Sequence, residues 1–294
     1  MQKILNLEQL NSLDAVKLVE NEAVSANFIN TFAKIHGRSD YNAQMVYERE
    51  AMYYKKALSG DAKLKDCTRL SLYSVFMELA ITGLSIQPGS KSEAYLEARG
   101  TKTGGTKESP VFSNIAYLRI TAYGELNLRI MAGQIVRMYN PVVIYEGDTF
   151  QPMTNSSGEL IVQYQPRIPR QSKKIIGCWV RIQLPDGSND FKWLLEDDYD
   201  RLKKYATTKT QNGSYTNPLY SSENGGIDPG FLEAKTIKHA MRAYTKLRIG
   251  ENVAFDDELD ATEEQDKRQP FGNQPPALQP ETAAPVQLNS DEPF

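Results

Sequence analysis

Lys235, Lys238, Arg242 and Lys246 are spaced three or four residues apart. In a helix that spacing puts four cations on one face, with Ile237, Met241, Tyr244 and Leu247 on the opposite side. Glu233 is the only acid between Phe231 and Gly250, whereas a solvated helical face ordinarily interleaves both signs. A row of cations with so few acids around it is suited to neutralising phosphates. The competing reading is an ordinary solvated face on a core-packed helix. A second set mixes bases with aromatics: Tyr117, Arg119, Tyr123, Arg129, Arg137 and Tyr139, then Lys173, Lys174, Arg181 and Lys192, with Lys203 and Lys204 closing the following helix. Single-strand binders use this chemistry, with cations tracking the backbone and flat rings stacking on bases of any identity. The chain has 16 tyrosines, and half-buried core positions are the commoner use of such rings.

Other constellations point away from catalysis. Gly100 to Lys107 imitates a phosphate loop, but its lysine arrives one position late and Pro110 leads into a strand, so it reads as a basic hairpin tip. Glu196, Asp197, Asp198 and Asp200 resemble the carboxylates of a two-metal nuclease. Capping of a helix N-terminus explains them without a metal. His36 and His239 each lack a cysteine or histidine neighbour, so neither a zinc site nor a catalytic triad is expected. The expectation is a binding protein with no catalytic residue, metal or cofactor.

The elements that must position these groups follow from periodicity. Phe28, Phe32 and Ile35, then Tyr47, Ala51, Tyr54 and Leu58, then Leu72, Val75, Phe76 and Leu79 recur at helical spacing, and Gly37, Gly60 and Gly83 stand where C-caps belong. After Gly83 strands are predicted at Ala94 to Ala98, Val111 to Ile120, Gln134 to Tyr145 and Leu160 to Gln165. The clearest hairpin joins Lys174 to Leu184 with Asp190 to Leu195 through Pro185-Asp186-Gly187-Ser188, bringing Trp179 and Trp193 close. A helix is predicted from Glu196 to Ala206, a long polar loop from Thr207 to Gly230, and a last helix from Phe231 to Gly250. Leu126, Leu128 and Ile130 fit either a strand or a short helix. The fold class is therefore α+β: N-terminal helices, a central antiparallel sheet with hairpins packed by helices, a C-terminal basic helix and a disordered acidic tail.

Charge divides the chain. Residues 251 to 294 hold 11 acids and 2 bases, leaving 26 acids against 32 bases in the first 250. A body near +6 suits a polyanionic partner, and a tail near −9 suits protein recruitment and repels nucleic acid. With two cysteines, no apolar run of membrane-spanning length and no N-terminal signal pattern, a soluble protein of a reducing cytoplasm is expected, with no membrane partner.

Four segments, in order, resemble the RecT family of phage recombination proteins: Gly83 to Leu96; Tyr117 to Asp148, closing on Glu146-Gly147-Asp148; Ile175 to Ala206; and Leu232-Glu-Ala-Lys235-Thr236-Ile237-Lys238. Together they cover roughly residues 70 to 250. The likeness favours a helix over Gly124 to Ala132. The family's Gly-Tyr-Lys-Gly reads Thr121-Ala122-Tyr123-Gly124 here, and Met131-Ala132 replaces the arginine usual before Gly-Gln, so a basic contact is lost or moved to Arg119, Arg129 or Arg137. The resemblance implies ATP-independent binding of single-stranded DNA and annealing of complementary strands in a bacterial host's cytoplasm, by a homo-oligomeric ring or helical filament that holds the annealed duplex. It also implies three regions: residues 1–65 for oligomer contacts, 66–254 as the annealing core, and 255–294 as tail. Asp291-Glu292-Pro293-Phe294 resembles the C-terminal tip of bacterial single-stranded DNA-binding proteins. That protein or its partners, and a phage exonuclease, are candidate associates. The rival readings are a phage structural or assembly protein with a basic surface, and the metal-dependent nuclease.

Overall fold

The computed structural model describes residues 6–106, 109–210, 213–222, 226–245 and 253–255. Helices α1 (Leu7–Ser12), α2 (Glu22–His36), α3 (Asp40–Gly60), α4 (Ala62–Lys65) and α5 (Arg69–Thr82) come first. Their starts are set by side-chain caps: Asn21, Ser39 and Thr68 accept from the N–H groups of Ala23, Asn42 and Ser71. Gly37 and Gly83 close α2 and α5 in the left-handed region, at φ 59° and 71°, as their sequence positions predict. Phe28, Phe76 and Tyr54 are fully buried and meet edge-on or tilted, with Phe28 and Phe76 ring centres 4.7 Å apart.

The chain then forms a long antiparallel hairpin, β1 (Ala94–Gly105) and β2 (Pro110–Ile120). Its base enters the helical core through Ala94, Leu96, Ala116, Leu118 and Ile120. Buried Glu50 of α3 fastens the helices to the intervening loop, accepting from Ser85 Oγ at 2.7 Å and Ile86 N at 2.9 Å. Helix α6 (Ala122–Met131) follows, capped by Thr121, so the segment that fitted strand or helix is helical. Gly124 is required there: a Cβ at this position would run into the Glu93 carbonyl.

A second layer is built on strand β7. The predicted Gln134 to Tyr145 strand is broken into β3 (Arg137–Met138) and β4 (Val142–Tyr145), with Asn140-Pro141 between them. Proline has no N–H to give the ladder. β3 and β4 pair along one edge of β7 (Ile175–Gln183), and β8 (Asn189–Leu195) pairs along the other. Between β4 and β7 the chain makes a separate hairpin, β5 (Thr149–Thr154) with β6 (Leu160–Gln165). Pro152 obscured β5 in the sequence. Helix α7 (Glu196–Ala206) matches its predicted bounds, and the polar loop after it contains β9 (Thr208–Thr210), β10 (Gly213–Tyr215) and a 3-10 turn at Pro218–Tyr220. Helix α8 runs Pro229–Met241, shorter than expected, and β11 (Val253–Phe255) pairs parallel to β2.

Alternation along β7 sets the two faces. Cys178, Val180 and Ile182 are buried on the side of α8 and α6, while Trp179, Arg181 and Gln183 take the other side. Burial pushes the Cys178 thiol up to about 12, leaving it inert. Among the described residues no helix is long and apolar enough to cross a membrane.

Candidate nucleic-acid interface

Two clusters of cations and rings lie at opposite ends of β7. At its C-terminal end, Arg137 pairs with Gln183 across the ladder and the Tyr139 N–H donates to the Arg181 carbonyl. This places the Tyr139 ring against two guanidinium groups, Arg137 at 4.5 Å and Arg181 at 4.2 Å from the ring centre. Both also donate to the Tyr139 hydroxyl, at 2.5 and 3.1 Å, while Gln183 and Asn189 take their Nε donors. Each arginine is thus held in one orientation by neutral groups, and among the described residues neither has an acid within ion-pairing distance. The pair is preorganised for an anion.

At the N-terminal end of β7, a cleft of about 610 Å³ is lined by Arg170, Lys173, Lys174 and Lys203 together with Tyr145 and Tyr199. Arg170 stacks on Tyr145 at 3.6 Å. Glu196 pairs with Lys174 at 3.1 Å and keeps it protonated. Lys203 donates to Ser221 Oγ at 2.8 Å. Lys173 and Lys204 are exposed. From Ile175 to Arg181 the strand advances about 20 Å, the reach of about six successive phosphates of one strand at duplex spacing.

The remaining expected contacts separate. Arg119 is buried and ion-paired with Glu97 at 2.5 Å within the β1–β2 hairpin. Arg129 is buried against Glu125 at 3.0 Å and donates to Gln134 and to the Thr245 carbonyl. Both are internal fastenings, because a buried arginine is tolerated only with partners. Tyr123 is half-buried, with Lys91 5.9 Å over its ring, and burial raises its hydroxyl pKa. Lys192 faces α8 and pairs with Asp190 at 3.1 Å.

The supposed basic face of α8 also divides. Lys235 lies over Phe231 at 4.9 Å and Arg242 is exposed, but Lys238 is buried. Lys238 projects about 60° around the helix from Lys235. Since α8 packs against both α6 and the sheet, its buried arc reaches that far. Lys246 and the tail residues Asp291, Glu292, Pro293 and Phe294 lie outside the described residues.

The carboxylates Glu196 and Asp198 serve α7: Asp198 accepts from the Leu195 N–H at 3.1 Å and pairs with Arg201 at 3.3 Å. Arg170 and Tyr145 were missed in the sequence. The signal for Arg170 was the dense run Arg167-Ile-Pro-Arg170-Gln-Ser-Lys173-Lys174.

The pattern of the RecT family matches residues 43–270, most of the chain, and spans both ends of β7 and helix α8. The chain belongs to the RecT family. RecT-family membership supports phage-type single-strand annealing in DNA recombination, an activity of annealing proteins rather than catalysts, and with it DNA binding. The RecT match begins at Ala43 inside α3 and so includes the last N-terminal helices, the β1–β2 hairpin and the whole β7 layer. No curated protein sequence shows a significant match to the chain.

Proposed function

We propose that this RecT-family protein binds single-stranded DNA without ATP along the tract from the Arg170–Lys173–Lys203 cleft to the Arg137–Tyr139–Arg181 stack. It then pairs the bound strand with its complement while coating the DNA as an oligomer. The observation that carries the reading is the placement of two clusters of cations and rings at the two ends of one strand, about 20 Å apart, the Arg137–Tyr139–Arg181 one held rigid by neutral partners. Phosphate neutralisation lowers the repulsion between two strands, and annealing needs neither a nucleophile nor a nucleotide.

Lys235 and Arg242 extend the positive surface from α8, with Lys204 beside the cleft. Residues 1–65 serve oligomer contacts, supported by exposed Tyr41, Met45 and Met52 on α3; residues 66–254 form the annealing core. The tail, ending Asp291-Glu292-Pro293-Phe294, recruits a protein partner of the host's replication machinery.

Binding of a labelled single strand is measured across a salt series, alongside the rate of pairing with an added complement. Neutralising about four phosphates gives a log–log slope near −3 for a single strand. Pairing is accelerated without ATP. Salt-sensitive binding with no acceleration of pairing fits a phage structural protein with a basic surface and contradicts the proposal.

A further inference from the structure

The face of the β7–β8 ladder turned away from α8 carries an aromatic floor. Trp179 and Trp193 are directly paired across it, Phe191 is paired with Arg181, and the Trp179 and Phe191 ring centres are 6.1 Å apart. The β5–β6 hairpin covers this floor with two rings. Phe150 sits 6.2 Å from Trp179 and 5.9 Å from Trp193, and Tyr164 sits 5.9 Å from Trp179.

The cover is weakly built. It is a two-stranded sheet of its own, none of its residues is buried, and it contributes to none of the hydrophobic cores. A lone hairpin of this kind is marginal in water and belongs to the low-stability end of a structure. Beneath it, Trp179 Nε1 is shielded from solvent with no hydrogen-bond partner among the described residues. A buried donor left unsatisfied is costly, so the closed arrangement is penalised at the ring it covers. The floor is flanked by Arg181 on the same strand and by Arg137 across the ladder, which supply the positive charge a nucleic-acid backbone needs.

We infer that β5–β6 is a displaceable cover and that unpaired nucleobases of a bound single strand replace Phe150 and Tyr164 on Trp179 and Trp193, while Arg181 and Arg137 hold the adjoining phosphates. Stacking occupies base faces and leaves pairing edges free, so the strand is presented to its complement. A duplex, whose bases are already stacked on each other, does not displace the cover. This inference rests on the proposed single-strand binding.

The chain's 2 tryptophans are Trp179 and Trp193, so intrinsic emission reports on the floor. The full chain is titrated with labelled oligothymidylate and with an abasic strand of equal length, recording label anisotropy and tryptophan emission together. Both strands bind, and only oligothymidylate quenches the tryptophans. Trp193→Ala weakens oligothymidylate binding about five-fold or more and leaves abasic binding unchanged. Phe150→Ala tightens oligothymidylate binding, because the open state no longer has to compete with the cover. Binding of both strands with no quenching, or with equal quenching, overturns the inference and spares the proposed function. Weakening by Phe150→Ala to the same degree as by Trp193→Ala overturns the cover. Failure of both strands to bind removes both readings, whereas failure of the abasic strand alone overturns the phosphate-holding role of Arg181 and Arg137 and spares the proposed function.

Discussion

Arg129 and Arg181 carry the same charge in opposite settings. Arg129 and its partner Glu125 have side chains only 4% and 8% exposed, so truncating the arginine strands a buried carboxylate. Arg129→Ala should cost about 3–5 kcal/mol, read as a lower urea midpoint. Arg181 instead lies half-exposed over Tyr139. Arg181→Ala should cost about 1 kcal/mol of stability or less and flatten the salt dependence of single-strand binding by about 0.7. Composition cannot tell these arginines apart. The outward setting of Arg181 was legible because it alternates with the apolar Val180 and Ile182 on a recognisable strand. Arg119, Arg129 and Lys238 were not, because their burial depends on elements far away in sequence, Glu97 and α6 among them.

The elements were more legible than their lengths. Helix α7 and the β7–β8 hairpin follow from local capping and from Gly187 at φ 86° in a turn that proline opens. The end of α8 does not. After Met241 the N–H groups of Arg242, Ala243 and Tyr244 bond three residues back, Tyr244 donates to Asp190 at 3.1 Å, and the Thr245 carbonyl is taken by Arg129 and Gln134. Tertiary contacts therefore stop a helix whose sequence pattern continues. At the start of α6, Gly124→Ala should force the helix away from the Glu93 carbonyl, lowering stability by about 1–3 kcal/mol in chemical denaturation.

The β5–β6 hairpin depends on Asp148, which accepts from the Tyr145 and Arg167 N–H groups and the Tyr164 hydroxyl. Burial opposes its ionisation, but those bonds and the nearby Arg170 charge outweigh it and hold the carboxyl below the usual aspartate value. A depressed folded pKa gives stability that is complete above the unfolded value and is lost as pH falls through the folded one. Protection of the β5–β6 amides, taken relative to the intrinsic exchange rate at each pH, should therefore be greater at neutral pH than below the ordinary aspartate pKa. Asp148→Asn should show the reduced protection already at neutral pH.

At the scale of the whole molecule, the split between a basic body and an acidic tail was plain in the sequence, and it agrees with a strand-binding tract on the body. The grouping of cations at two ends of one strand was not plain, because β3, β4 and the linker before β7 reach it from separate parts of the chain. In the proposed function this tract brings complementary strands together. That role is tested most directly by mixing the full chain, without ATP, with one labelled oligonucleotide and then its complement or an unrelated strand, following fluorescence transfer in time. Pairing should accelerate with the complement alone, and most of that acceleration should be lost in the Arg137→Ala, Arg181→Ala double variant at unchanged fold. Pairing no faster than in buffer, or a double variant as fast as the natural chain, would contradict that role.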